Sequence, residues 1–263
     1  MSSYKNILIV QLRQLGDILL TTPVVDALKE QYPEAKISFL SHPMGKLVLN
    51  ENPNIDELLF YPNSKIEYLK FLLKLRKNKY DLVLDYMFNG RSAIFSVISG
   101  AKKRISFKSN RSFFYTDVID RNTDDPMYIV EEKLRLLEEL GWQGKRKNIT
   151  LSWFEKDLEA SKGFLETLDP KKIRIVISAT HRRNNRQWSL ARYAELSDYL
   201  TREWGAELIW LWGPGEEDFV TEAMSLCKEK AHKAPRTGLI AFVGKIPVLI
   251  SFLSLSEDRK SVV

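Results

Sequence analysis

Cysteine is nearly absent. Cys227 stands alone among 263 residues, so no internal disulfide can form and a reducing compartment is expected. Histidine is scarce as well. His42, His181 and His232 are scattered along the chain, and with a single thiol they make no metal-ligand spacing, so neither a metal nor another cofactor is expected. No uninterrupted apolar run of membrane-spanning length occurs. The nearest candidate, residues 238–256, is broken by Lys245 and Pro247. Lys5 and Asn6 lead straight into a short strand rather than a secretory leader. Together these absences give cytoplasmic as the expected location.

Glycine signatures are missing too. No Gly-x-Gly-x-x-Gly follows either opening strand, and no Gly-x-x-x-x-Gly-Lys-Ser/Thr occurs anywhere. These gaps argue against a dinucleotide oxidoreductase and a P-loop kinase. Charge of one sign is not strongly in excess: 40 basic residues against 34 acidic give a formal +6. That balance suits an anionic ligand or a membrane surface, or a lysine-rich solvated face, and does not by itself argue for nucleic acid.

What is present is a globular chain, 44% hydrophobic and long enough for one large or two ordinary domains. Its organising stretch is residues 6–29. Ile7, Leu8, Ile9 and Val10 form an unbroken apolar run, as in a strand buried on both faces. Arg13, Gln14, Leu15 and Gly16 break the run, and Asp17 precedes a helical pattern at Leu20, Val24, Ala27 and Leu28. Strand, Gly loop, helix is the order that places a residue at the carboxyl edge of an open α/β sheet, where ligands bind. Two readings of Asp17 follow from the residues. It is a helix N-cap; or Thr22 caps a second start with Pro23 in its first turn, which leaves Asp17 in a loop mouth.

Further on, strands are expected at residues 35–40, 57–61 and 80–84, with an amphipathic helix over 66–76. This alternation predicts a parallel doubly wound sheet. A buried helix should precede Gly100, and residues 127–140 should be helical, with Ile129, Lys133, Leu136, Leu137 and Leu140 along one face and Gly141 as the stop. Another helix is expected over 154–168, and Asp169-Pro170-Lys171-Lys172 is the expected boundary, giving domains 1–168 and 171–263. The second half opens like the first, with Ile173, Ile175, Val176 and Ile177, then a polar loop through Trp188, then a helix capped by Ser189. A strand over 207–212 runs into Gly213-Pro214-Gly215-Glu216, and a helix is expected over 219–230. A carboxylate after a strand-ending glycine can accept hydrogen bonds from a ribose, though acidic residues at a helix start are also common.

The series Leu12, Arg13, Gly16, Asp17, Ile18, Leu19, Leu20, Thr21, Thr22, Pro23 resembles the N-terminal signature of the heptosyltransferases, glycosyltransferase family 9. The likeness continues through Asp85, Asn89, Arg91, Ser92, Gly100, Ala101, Arg104 and Ile105, and through Arg186, Gln187, Trp188, Ser189 and Glu216. Arg186 stands where the family usually has lysine. The resemblance implies a GT-B fold: two facing Rossmann-like α/β domains, the first for the acceptor and the second for the nucleotide sugar. It implies an inverting transferase that moves a heptose from an ADP-sugar donor to the lipopolysaccharide inner core, with peripheral contact at the inner membrane. Asp17 inherits the role of catalytic base. Thr180, Arg186, Glu216 and Gly16 are assigned to the donor, and Arg13, Asn89, Arg91, Lys103 and Arg104 to the anionic glycolipid acceptor. Lys102, Lys103, Arg104, Lys108 and Arg111 form a basic cluster that is either a surface patch or an anion site. Phe113, Phe114 and Tyr115 beside it are either core or a sugar platform.

After Pro235 the likeness fails: the family's Asp-Ser-Gly-x-x-His does not follow. The second domain is therefore expected to be incomplete. The alternative function is a catalytically incompetent relic that binds anionic glycolipid without a full donor pocket.

Overall fold

The computed structural model describes residues 4–62, 64–121, 127–144, 148–150, 155–180, 187–213 and 215–235. The chain divides into two compact units, Met1–Ser152 and Trp153–Val263. The expected incomplete tail, residues 235–263, lies outside the described residues from position 236 onward.

The first unit is a six-stranded sheet in the order β3-β2-β1-β4-β5-β6. Its strands are β1 (Asn6–Val10), β2 (Lys36–Ser41), β3 (Glu57–Phe60), β4 (Leu82–Asp85), β5 (Lys103–Phe107) and β6 (Asp117–Ile119). Every neighbouring pair is parallel. The direction of winding reverses between β1 and β4, the switch point at which such sheets leave a crevice. Strand β1 fills the centre, and Ile7 to Val10 are fully buried. Leu8 and Val10 share one face with Val83, Phe95, Phe71 and Leu75, as a two-residue period requires.

The segment after β1 folds as two helices, α1 (Leu15–Leu19) and α2 (Thr22–Gln31). Asp17 is not a helix N-cap. Gln14 holds that position in α1, and its backbone N–H donates to Asp17 Oδ2 at 3.3 Å. The break falls where Pro23 demands one, with Thr21 rather than Thr22 at the cap. The Thr21 hydroxyl donates to the Asp17 carbonyl at 2.7 Å, which satisfies one of the acceptors that a helix end exposes. α3 (Lys46–Leu49), α4 (Lys65–Lys77), α5 (Gly90–Ile98) and α6 (Ile129–Leu134) also belong to the unit. The expected helix over 127–140 is only partly α: residues Arg135–Leu140 are 3-10, and Gly141 ends them at φ 75.

Asp85 fastens the end of β4. Its carboxylate is fully buried and accepts from the N–H groups of Met87 and Phe88 at 2.8 and 3.2 Å. The Tyr115 hydroxyl donates to it at 2.6 Å. Burial pushes Asp85 above its ordinary range, while the Tyr115 hydroxyl and the neighbouring donors pull it back. Tyr115 is thus core, whereas Phe113 is exposed.

The second unit holds a parallel sheet of β7 (Arg174–Ser178), β8 (Glu207–Leu211) and β9 (Ala231–Lys233). Its helices are α7 (Glu155–Glu166), α8 (Leu190–Trp204) and α9 (Glu217–Ser225). Two expectations are corrected. The units divide before α7, not after it, because Phe164, Leu165 and Leu168 pack on Val176, Ile209 and Leu211 of the second sheet. The helix expected over 219–230 stops at Ser225. The Asp198 carboxylate accepts the N–H groups of Lys228 and Glu229 at 2.8–3.0 Å, and these bonds turn the chain into β9.

Removing the Tyr115 hydroxyl takes a hydrogen bond from a buried carboxylate. Tyr115→Phe should therefore cost about 1–3 kcal/mol, read by urea unfolding. A loss below roughly 0.5 kcal/mol would show that Asp85 does not depend on that donor.

Candidate functional site

A cleft of about 420 Å³ opens in the first unit, lined by Gln11, Arg13, Gln14, Asp17, Tyr86, Met87, Phe88, Phe107, Arg121, Ile129, Glu132 and Lys133. These residues follow the carboxyl ends of β1, β4 and β6, lie on β5, or come from α1 and α6, so the cleft sits at the switch point. Asp17 reaches it because four residues separate α1 from β1 and α1 ends before α2 begins.

The floor is built on a buried lysine. Lys133 is 5% exposed, yet its ammonium donates to Gln11 Oε1 at 2.9 Å and lies 4.9 Å from the centre of the Tyr86 ring. The Tyr86 hydroxyl in turn donates to the Lys133 carbonyl at 3.1 Å. Burial pulls Lys133 down to about 8, against the raising influence of the Asp17 and Glu132 carboxylates. Tyr86 is pushed well up by burial. On the rim, Arg121 pairs with Glu132 in a bidentate contact, its Nε and Nη2 donating to the two carboxylate oxygens, and it lies 5.5 Å from the Phe88 ring centre. Phe88 adopts φ 37, a conformation that a bulky residue rarely takes and that costs of the order of 1–3 kcal/mol. The two Asp85 bonds hold it there.

Of the acceptor residues expected from the sequence, Arg13 lines this cleft. Asn89 caps α5, its side-chain oxygen accepting from the N–H groups of Arg91 and Ser92 at 3.0 and 3.1 Å. Arg91 lies over the Tyr61 ring at 5.2 Å. Lys103 and Arg104 are not in the cleft. Their strand register sets them beside Leu82 and Val83, while Ser106 stands beside Asp85, so they occupy the amino end of the sheet. Lys103 pairs with Asp117 at 2.6 Å, and Arg104 donates to the carbonyls of Phe114 and Ala101. Gly16 borders Asp17, and a side chain added there would meet open space.

In the second unit, Thr180 and Glu216 come together at the carboxyl edge of β7 and β8. Glu216 Oε2 accepts from the Thr180 hydroxyl and from the Gly213 N–H, both at 2.7 Å. Arg186 lies outside the described residues.

A sequence profile described as glycosyltransferase family 9 (heptosyltransferase) matches residues 68–254. The lipopolysaccharide heptosyltransferase 3 of Escherichia coli K12 is 31% identical over 245 residues, spanning 87% of this chain and 68% of that protein. The chain belongs to glycosyltransferase family 9. It is a glycosyltransferase, and its fold is that of solved members. A family 9 glycosyl transferase from Veillonella parvula superposes with a TM-score of 0.81 at 21% identity, over 95% of this chain and 75% of the other. The Escherichia coli heptosyltransferase WaaC, solved with ADP-2-deoxy-2-fluoro heptose, gives 0.69 at 17% identity over 95% and 84%.

The transferase holds Lys133 at a cost. Lowering a lysine from about 10.4 to about 8 costs about 3 kcal/mol below pH 8. That cost vanishes above the unfolded value and returns in full as the pH falls through the folded one. The stability difference between wild type and Lys133→Met should therefore shift in favour of the wild type as pH rises from about 8 to about 10. Below pH 8 the variant should be the more stable by about 1–2 kcal/mol, after the loss of the Gln11 bond. Denaturant unfolding across that window reads both; parallel stability curves would show that Lys133 carries no such penalty.

Proposed function

We propose that this glycosyltransferase moves a heptose, with inversion, from an ADP-activated donor to the lipopolysaccharide inner core in the cytoplasm. One observation carries the reading: Asp17 lines a cleft at the switch point of the first unit, on a short helix with cationic groups around it. In this reading Asp17 takes the proton from an acceptor hydroxyl as that oxygen attacks the anomeric carbon. A single displacement inverts the centre, and the nucleoside diphosphate leaves. Arg13 meets an anionic group of the acceptor, and the half-buried Phe88 ring at the cleft suits a sugar face. The matched relative's name, lipopolysaccharide heptosyltransferase 3, supports the sugar and the acceptor, and the ligand in the solved WaaC structure supports the donor.

The second unit takes the donor. Both bonds to Glu216 end on Oε2, which leaves Oε1 as the oxygen that accepts from ribose hydroxyls. Arg186 supplies charge for the leaving diphosphate, for which a guanidinium fork is suited. Gly16 is constrained neither by its φ nor by a neighbour, so its lack of a side chain leaves the backbone beside Asp17 open to close approach of a ligand.

The protein incubated with ADP-heptose and heptose-deficient core glycolipid should add one heptose, read by mass spectrometry, and release ADP in step with product. Transfer from a different nucleotide sugar but not from ADP-heptose would overturn the donor assignment; no transfer from any nucleotide sugar would overturn the function.

A further inference from the structure

Helix α4 is apolar on two sides. Phe71 and Leu75 are buried against the sheet, with Tyr68 and Leu72 packed beside them. At 100° per residue, Ile66, Leu69 and Leu73 form a separate stripe that points away from that face, and they are 73%, 62% and 57% exposed. Scattered single aliphatics on a surface need no explanation, but three aligned on one helix do. Lys70, Lys74 and Lys77 run along one edge of the stripe, all exposed. Lys74 reaches Glu57 at 2.7 Å. Glu67 is the one acidic residue of the helix. The neighbouring α5 adds exposed Ile94 and Val97. Helix α4 also starts where β3 ends, so Ile66 sits at the same edge of the sheet as the cleft that holds Asp17.

The composition of this face selects its partner. Protein interfaces are depleted in lysine and draw on aromatic residues and arginine. Aliphatic side chains edged by lysine are the pattern of a helix lying in the plane of an anionic bilayer. We propose that α4 is a membrane-surface helix: Ile66, Leu69 and Leu73 enter the boundary between headgroups and acyl chains, and Lys70, Lys74 and Lys77 meet lipid phosphates. The long lysine stems let the charges stay at headgroup level while the stripe sinks. Among the described residues no helix is long and apolar enough to cross a membrane, so the attachment is peripheral. The proposal extends the glycolipid-acceptor reading above, but it stands on the surface of α4 alone.

Flotation with vesicles of phosphatidylcholine plus phosphatidylglycerol tests it without donor or acceptor, so its result is independent of transfer. The wild-type chain should float with the anionic vesicles, and binding should weaken on pure phosphatidylcholine and in high salt. The triple variant Ile66→Ser, Leu69→Ser, Leu73→Ser should keep its circular dichroism and bind at least about tenfold more weakly. Lys70→Glu with Lys77→Glu, which keeps the apolar stripe, should lose the preference for anionic vesicles. Equal binding by the triple variant, or no binding by the wild type, overturns the proposal. So does self-association in sedimentation that the triple variant abolishes without any vesicle binding, an outcome that assigns the face to a second copy of the chain.

Discussion

One buried amide side chain ties together the carboxyl edge of the first sheet. Gln11 is 2% exposed, and its backbone N–H continues the ladder to Leu40 at 3.1 Å. Its side-chain oxygen accepts the Lys133 ammonium. Its side-chain nitrogen donates to the Arg13 carbonyl and reaches the sulfur of Met87 at 3.2 Å. One group thus fixes the loop that leads to Asp17, the turn after β4 and the helix that closes the cleft. An amide can do this where a carboxylate cannot, because it both donates and accepts. Burial makes the arrangement stiff, since each unmet partner would carry a full desolvation cost.

Around that tie, the local devices of the site have separate tasks. Asp85 holds a strained Phe88, Thr21 closes α1 beneath Asp17, and Asn89 starts α5. Much of the family signature in the first unit is therefore architecture: Thr21, Asp85 and Asn89 each satisfy backbone donors or acceptors. Gly16 is different, because neither packing nor backbone conformation requires it. Lys133 is different again, a cation held in a buried place where desolvation disfavours its charge. Such conflicts between local stability and residue choice are expected at functional sites.

What could be read from the sequence follows from how local each signal is. The run Ile7 to Val10 announced a strand buried on both faces, and Pro23 announced the break after Asp17, to within one residue of its cap. Thr180 and Glu216, named from separate loops, meet because both follow parallel strands at one edge. Lys103 and Arg104 misled, because a charge at the start of a strand and one at its end look alike until the register is known. Lys133 was seen on the apolar face of its helix but not as part of the site. Its partner Gln11 lies 122 residues away, and a lysine on such a face usually extends its head to water. Arg121 and Glu132 were missed for a similar reason, since only the fold brings them to the rim. The end of α9 escaped because the Asp198 carboxylate that stops it comes from a different helix.

The central claim is that the Asp17 carboxylate is the base for sugar transfer. The direct measurement is single-turnover transfer by Asp17→Asn, with acceptor affinity measured separately. A change of one oxygen to an amide should leave the fold and acceptor affinity in place and slow the chemical step by about 100-fold or more. Transfer at the wild-type rate by that variant would contradict the account.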